Sequence, residues 1–64
     1  MTFGERLKML RQKRSMSQFE LSVESEIPQS LISWYETGRV KPTLENIKCL
    51  CIALNVSATE LLGF

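Results

Sequence analysis

Residues 18–38 read QFELSVESEIPQSLISWYETG, and this stretch decides the fold of the chain. A short amphipathic segment beginning at Ser17 and Gln18 is followed by a second one, from Pro28 to Thr37, which Gly38 closes. The connection between the two segments is only three or four residues long. Two short helices joined this tightly cannot lie antiparallel and must cross steeply, which predicts the geometry of a helix-turn-helix.

The second segment has a polar side that the first segment would carry outward. Gln29, Ser30 and Ser33 fall on one face of a helix, whereas Ile32 and Tyr35 turn inward. An exposed helix with this polar face fits the major groove of double-stranded DNA.

Length and composition predict a single globular domain over residues 1–64. A chain this short buries only about 60% of the surface that its unfolded form exposes. It is 44% hydrophobic and 23% charged, which is typical of a folded domain. Met1 to Leu10 does not resemble a signal peptide, and no apolar run approaches the roughly 20 residues of a membrane span. We expect a soluble, cytoplasmic protein with no membrane partner.

The sequence predicts neither a metal site nor a cofactor. Cys49 and Cys51 are the only cysteines, the chain has no histidine, and residues two apart on a helix point to different sides. Two reduced thiols are therefore expected. An enzyme is the poorest hypothesis, because there is no glycine-rich phosphate loop and no nucleophile with a base beside it.

Charge alone is weak support for a nucleic-acid partner. The net charge is only +1, and on charge alone a solvated surface of mixed sign is the favoured interpretation. The charges are unevenly distributed along the chain although the net charge is small, since Glu20, Glu24 and Glu26 lie together. Basic residues cluster in the first segment and after the second helix of the motif, at Arg6, Lys8, Arg11, Lys13, Arg14, Arg39 and Lys41.

Capping residues and apolar spacing predict five helices and no strand. Capping boxes pair Thr2 with Glu5, Ser17 with Glu20, and Ser57 with Glu60. The predicted helices span residues 3–14, 18–25 and 28–37, then a fourth from the Thr43 cap to Asn55 and a short fifth after Ser57. The fourth helix has a broad apolar stripe of Leu44, Ile47, Leu50, Cys51 and Leu54, with Cys49 and Ile52 toward its other side.

Helix two leaves two alternatives open. Leu21 is expected to be buried, together with Ser22. Phe19 and Val23 either pack on Phe3, which is the favoured alternative, or stay exposed near a partner surface.

The run from Leu7 to Leu62 resembles the helix-turn-helix domain of phage repressors, Cro proteins and related bacterial regulators. The matching pieces are L-x-x-L-R at residues 7–11, S-Q-x-E-L at 17–21, I-P-Q-S-x-I-S at 27–33, Y-E-T-G-R-x-K-P at 35–42 and L-N-V-S-x-x-E-L-L at 54–62. The resemblance implies an all-α, five-helix, lambda-repressor-like domain in which helix three is the recognition helix.

The resemblance also implies roles for individual residues. Gln18 matches a glutamine that contacts a backbone phosphate, although its chemistry fits a helix cap equally well. Arg11 and Glu36 match a structural ion pair between helix one and the end of helix three. The remaining matches are to DNA-contacting positions, at Gln29, Ser30, Ser33, Trp34, Arg39 and Lys41.

The chemistry of these residues agrees with the roles. Glutamine can form two hydrogen bonds with adenine N6 and N7, so Gln29 is the strongest candidate for reading a base. Leu31 either contacts a thymine methyl group or turns inward. Trp34 either covers the edge of the core or packs on sugar and phosphate.

Two positions depart from the family pattern. Glu26 stands where the turn usually has glycine, so it either adopts a left-handed conformation, at a cost of about 1 kcal/mol, or reshapes the turn slightly. Ser22 stands where alanine is usual. The glutamates of helix two would repel phosphate if they faced it, so we expect them to point away from DNA.

The sequence therefore predicts a repressor-like regulator that binds double-stranded DNA as a homodimer on an inverted repeat. The predicted dimer surface lies on helices four and five and comprises Cys49, Ile52, Ala58 and Leu62. The alternative is a helical interaction module, antitoxin-like or adaptor-like, whose main partner is another protein.

Overall fold

The structure is a computed structural model that describes all 64 residues. It contains five α-helices and no strand, so the predicted fold class is confirmed. The helices are α1 (Phe3–Lys13), α2 (Gln18–Ser25), α3 (Gln29–Glu36), α4 (Leu44–Leu54) and α5 (Ala58–Leu62). None of them has the length and apolar content that crossing a bilayer requires.

Local hydrogen bonds explain where the helices begin. At Thr2, Ser17 and Ser57 both halves of the predicted capping box are formed. In each box the hydroxyl accepts from the backbone N–H three residues later, and the glutamate accepts from the capping residue's own N–H. These bonds satisfy N–H groups that a helix start otherwise leaves free.

The apolar core lies where all five helices meet. Its nine buried side chains are Leu7, Leu10, Leu21, Ile27, Ile32, Tyr35, Leu50, Leu54 and Leu61. α3 contacts α1 and α2, while α4 contacts α2 and α5. Gly4 lets α1 approach the end of α3 closely, since a Cβ atom there would overlap the carbonyl oxygens of Tyr35 and Glu36. α3 is thus packed against two other helices.

The turn between α2 and α3 has the geometry expected of this motif. Glu26 adopts the left-handed conformation, with φ of 59°, and ends α2. The Ser25 hydroxyl donates to the Leu21 carbonyl at 2.7 Å and accepts from the Ile27 N–H at 3.3 Å. A non-glycine residue therefore occupies the strained position, supported by a buried serine before it.

Two expectations about α2 were wrong, namely the burial of Ser22 and the favoured packing of Phe19 and Val23 on Phe3. Ser25, not Ser22, is buried beside Leu21, because it lies one helical turn further along the same face. Phe19 and Val23 are each 60% exposed, which agrees with the second alternative that the sequence left open. They do not share a cluster with Phe3, whose ring instead meets the Tyr35 ring edge-on at 6.1 Å.

Leu44 is 75% exposed, so its predicted place in the apolar stripe of α4 was also wrong. It lies four residues before Lys48 and eight before Ile52, which puts all three on the outward side of α4. Both cysteines are half-buried free thiols packed against the core. Burial raises the pKa of the Cys51 thiol, with a smaller contribution from the charge of Glu60.

Three predicted helix boundaries were wrong by one residue, at the end of α1 and at both ends of α3. α1 ends at Lys13 rather than Arg14, which caps it. α3 begins at Gln29, and Pro28 is its N-cap with φ of −54°. At the other end Thr37 is the C-cap, and Gly38 is left-handed with φ of 77°.

Candidate nucleic-acid interface

The outer face of α3 is polar and accessible. Gln29 and Ser30 are exposed, Ser33 is half-buried, and the indole of Trp34 is 42% exposed. Ile32, on the inner side, is fully buried. The four outer residues therefore lie together on the side of α3 that faces away from the core.

The first turn of α3 offers free hydrogen-bond donors. Its N-cap is a proline, which supplies no side-chain hydrogen bond. The first backbone N–H groups of α3 bonded within the protein are those of Leu31 and Ile32, which donate to the Pro28 carbonyl. The N–H groups of Gln29 and Ser30 remain open at the positive end of the helix dipole.

A basic loop follows α3. The Arg39 backbone N–H donates to the Trp34 carbonyl at 2.8 Å, which closes the end of the helix. The side chains of Arg39 and Lys41 are exposed and form no ion pair. Arg39 also lines an open cleft of about 390 Å³, together with Ser33, Trp34 and Thr37. Thr37 was not among the predicted site residues.

The structure brings Arg11 and Glu36 together in a two-pronged ion pair. Arg11 Nε donates to Glu36 Oε2 at 2.6 Å, and Arg11 Nη2 donates to Oε1 at 3.0 Å. The side chains are only 10% and 3% exposed, respectively. The remaining Arg11 nitrogen, Nη1, donates to the Met16 carbonyl at 2.8 Å. The hydrogen bonds to Glu36 raise the pKa of Arg11 above its ordinary value.

Gln18 also belongs to this cluster. Its Nε2 donates to Glu36 Oε1 at 3.1 Å, and the capping bonds of α2 are made by Ser17 and Glu20 instead. We call Arg11, Met16, Gln18 and Glu36 the ion-pair junction. It links α1, the start of α2 and the last residue of α3.

Asn46 has a role that the sequence did not suggest. Its backbone N–H donates to Thr43 Oγ1 at 3.1 Å, which is the ordinary capping bond of α4. Its side-chain Nδ2 donates to the Tyr35 hydroxyl at 2.8 Å, which joins α4 to α3. The available signal was the asparagine itself, where a capping box would have glutamate or glutamine.

The predicted dimer residues are divided between two helices. Cys49 and Ile52 line an open groove of about 460 Å³ with Leu44, Glu45 and Lys48, which we call the α4 groove. Ala58 is exposed and Leu62 is half-buried, and both lie on α5 outside this groove.

Comparisons with known proteins agree with this architecture. A family model for a helix-turn-helix domain matches residues 2–62. The restriction-modification controller protein C.AhdI of Aeromonas hydrophila superimposes with a TM-score of 0.92 at 34% identity, covering 95% of this chain and 92% of that one. The control protein C.BamHI of Bacillus amyloliquefaciens is 35% identical over 63 residues, which are 97% of this chain and 78% of the relative.

Two longer relatives are also similar. The HTH-type transcriptional activator BcrR of Enterococcus faecalis is 32% identical over 98% of this chain. The immunity repressor protein of Bacillus phage phi105 is 27% identical over the same share. The chain spans 31% of the activator's length and 44% of the repressor's.

The chain belongs to the helix-turn-helix family, and the predicted resemblance is confirmed. By their names, the similar proteins are a transcriptional activator, an immunity repressor and two control proteins.

Proposed function

We propose that this chain is a repressor-like regulator that inserts α3 into the major groove of an inverted-repeat operator as a homodimer. The observation that supports the proposal is the outward polar face of α3, flanked by the unpaired basic side chains of Arg39 and Lys41. Contacts to phosphates would fix the register of the helix, and contacts to base edges would give specificity.

Base reading is assigned to the start of α3. Gln29 is exposed in the first helical turn and can donate to and accept from one adenine edge. Ser30 and Ser33 have shorter side chains that can donate or accept, so their contacts discriminate less between bases. Gln29 is therefore the residue whose loss should relax specificity at one position of the operator.

Contacts with the sugar-phosphate backbone of DNA are assigned to residues on either side of the base-reading positions. Arg39 and Lys41 carry free positive charge, and the open N–H groups of α3 favour an anion. Trp34 forms one wall of the cleft beside Arg39, with 42% of its surface available to pack on a sugar. Thr37, on the same cleft, extends the proposed contact surface.

Dimerisation is proposed through the α4 groove. Ile52 and Leu44 are 80% and 75% exposed, and burying them between two copies would remove apolar surface from water. Glu45 and Lys48 on the same groove supply opposite charges for contact between copies. Two copies would then read half-sites about one helical turn, roughly 34 Å, apart. Ala58 and Leu62 stay candidates for the edge of the interface.

The experiment is selection from random duplex DNA at low and moderate salt, followed by sequencing of the retained fraction. We expect an inverted repeat. Gln29→Ala should reduce the base preference at one position of each half-site. Binding to the preferred base should weaken by about 1–3 kcal/mol. Lys41→Ala should weaken binding to all sequences and reduce the salt dependence. Gln12→Ala, an exposed glutamine on α1, is the matched control.

The alternative proposal is a protein-interaction module. It is supported by Phe19 and Val23, which are 60% exposed and lie on the same side of α2. Weak binding with no sequence enrichment, unaffected by Gln29→Ala, would favour this alternative over the operator-binding proposal.

A further inference from the structure

We propose that Glu36 is a positioning residue for DNA binding, because it fixes the Gln18 amide with its N–H group ready for a backbone phosphate. The inference rests on the proposed DNA-binding function and adds a role to a residue otherwise assigned only to an ion pair.

The hydrogen bond between Gln18 and Glu36 decides which end of the amide is available. A carboxylate only accepts, so the group of Gln18 that meets Glu36 Oε1 at 3.1 Å must be Nε2. One of the two N–H bonds on Nε2 is used there, and the second is left as a donor. An unrestrained glutamine presents its oxygen as readily as its nitrogen, and the oxygen would repel a phosphate.

Further donors surround the same position. The backbone N–H groups of Gln18 and Phe19 donate to no protein atom, whereas those of Ser17 and Glu20 are used by the capping box. They open at the start of α2, an eight-residue helix whose dipole favours an anion there. The fixed amide therefore adds a side-chain donor to two free backbone donors.

The positive charge of Arg11 offsets the repulsion between the Glu36 carboxylate and a nearby phosphate. Its two hydrogen bonds to Glu36 neutralise the carboxylate within the protein, and both side chains are almost completely buried. Glu36 can therefore hold Gln18 without presenting net negative charge. The orientation of Gln18 is set before DNA arrives, which reduces the ordering cost of binding.

The first test is a double-mutant cycle on operator affinity. The background is R11M/E36M, in which apolar side chains of similar size replace the buried pair, a change that folded domains tolerate well. In the parent, Gln18→Ala should weaken binding about tenfold, as for loss of a hydrogen bond to a charged group. In R11M/E36M the same substitution should weaken it less than about twofold, because the amide is no longer fixed.

Lys41→Ala is the control for this cycle. Lys41 does not contact the ion-pair junction, so its loss should weaken binding by the same factor in both backgrounds. An equal effect of Gln18→Ala in both backgrounds would overturn the inference while leaving operator binding intact. Failure of the parent to bind DNA is a separate outcome, which would overturn the proposed function.

The second test needs no DNA. Side-chain ¹⁵N relaxation should show the Gln18 amide as restricted in the parent and as mobile in R11M/E36M. Gln12, which is exposed and outside the junction, should be mobile in both. A Gln18 amide as mobile as that of Gln12 in the parent would contradict positioning by Glu36.

Discussion

The ion-pair junction and the α4 groove are built in opposite ways. At the junction, charged groups are buried and every one has a partner, with Glu36 only 3% exposed. In the groove, apolar groups are exposed, with Ile52 at 80%. The junction therefore links three helices, whereas the groove has apolar surface that remains exposed to solvent in one copy.

The junction contributes to the stability of one copy, whereas the groove is proposed to contribute to the association of two copies. A buried charge pair is costly to break, because the surviving partner is left without compensation. An exposed apolar side chain contributes little to the free energy of unfolding, since folding hardly changes its contact with water. Substitutions in the two regions should therefore affect different measurements.

The largest effect is expected from Glu36→Ala. It removes the carboxylate that pairs with Arg11, whose side chain is only 10% exposed in the parent, and we expect the free energy of unfolding to fall by about 3–4 kcal/mol. Urea unfolding followed by circular dichroism would measure it. Glu24→Ala on the exposed side of α2 is the control and should change the free energy by less than about 0.5 kcal/mol.

A loss below about 1 kcal/mol in Glu36→Ala would mean that the pair behaves as a solvent-exposed one. The double variant R11M/E36M sharpens the same comparison, because its free energy of unfolding should be close to that of the parent. A large loss in this double variant would show that the junction needs its charges for stability as well as for orientation.

An intermediate effect is expected from Tyr35→Phe. It removes only the hydroxyl that accepts from Asn46 Nδ2, while the ring stays in the core at 2% exposure. We expect a loss of about 1 kcal/mol in the free energy of unfolding, the usual contribution of one such hydrogen bond. Thermal and urea unfolding would both report it.

Asn46→Ala tests the assignment of that loss to one bond. Combining it with Tyr35→Phe should cost less than the sum of the two single variants, because both remove the same interaction. Additive losses would show that the bond between α3 and α4 contributes nothing of its own.

The sequence predicted the starts of α1, α2 and α5 well because the responsible bonds are local. Thr2, Ser17 and Ser57 each bond to a residue three positions away, and such pairs can be read directly from the chain. The resemblance supplied the pairing of Arg11 with Glu36, which are 25 positions apart and which no local pattern joins.

The sequence failed where the outcome depended on how helices pack. Phe19 and Val23 have the apolar character of core residues, but α2 turns Leu21 and Ser25 inward instead. Gln18 offered a choice between a cap and a phosphate contact, and its bond to Glu36 was not among the alternatives. In both cases the deciding partner lies on another helix.

The smallest effect on stability, with a large effect on association, is expected from Ile52→Lys. Its side chain is 80% exposed, so the free energy of unfolding of one copy should change by less than about 0.5 kcal/mol. A lysine there would place charge against apolar surface in the proposed dimer, which should shift sedimentation toward the monomer. Gln12→Lys, exposed on α1 and outside the groove, adds the same charge as a control. If Ile52→Lys sediments like a dimeric parent, the α4 groove is not the contact between copies. If it sediments as a monomer but also unfolds much more easily, Ile52 supports the fold, and the contrast between the two regions fails.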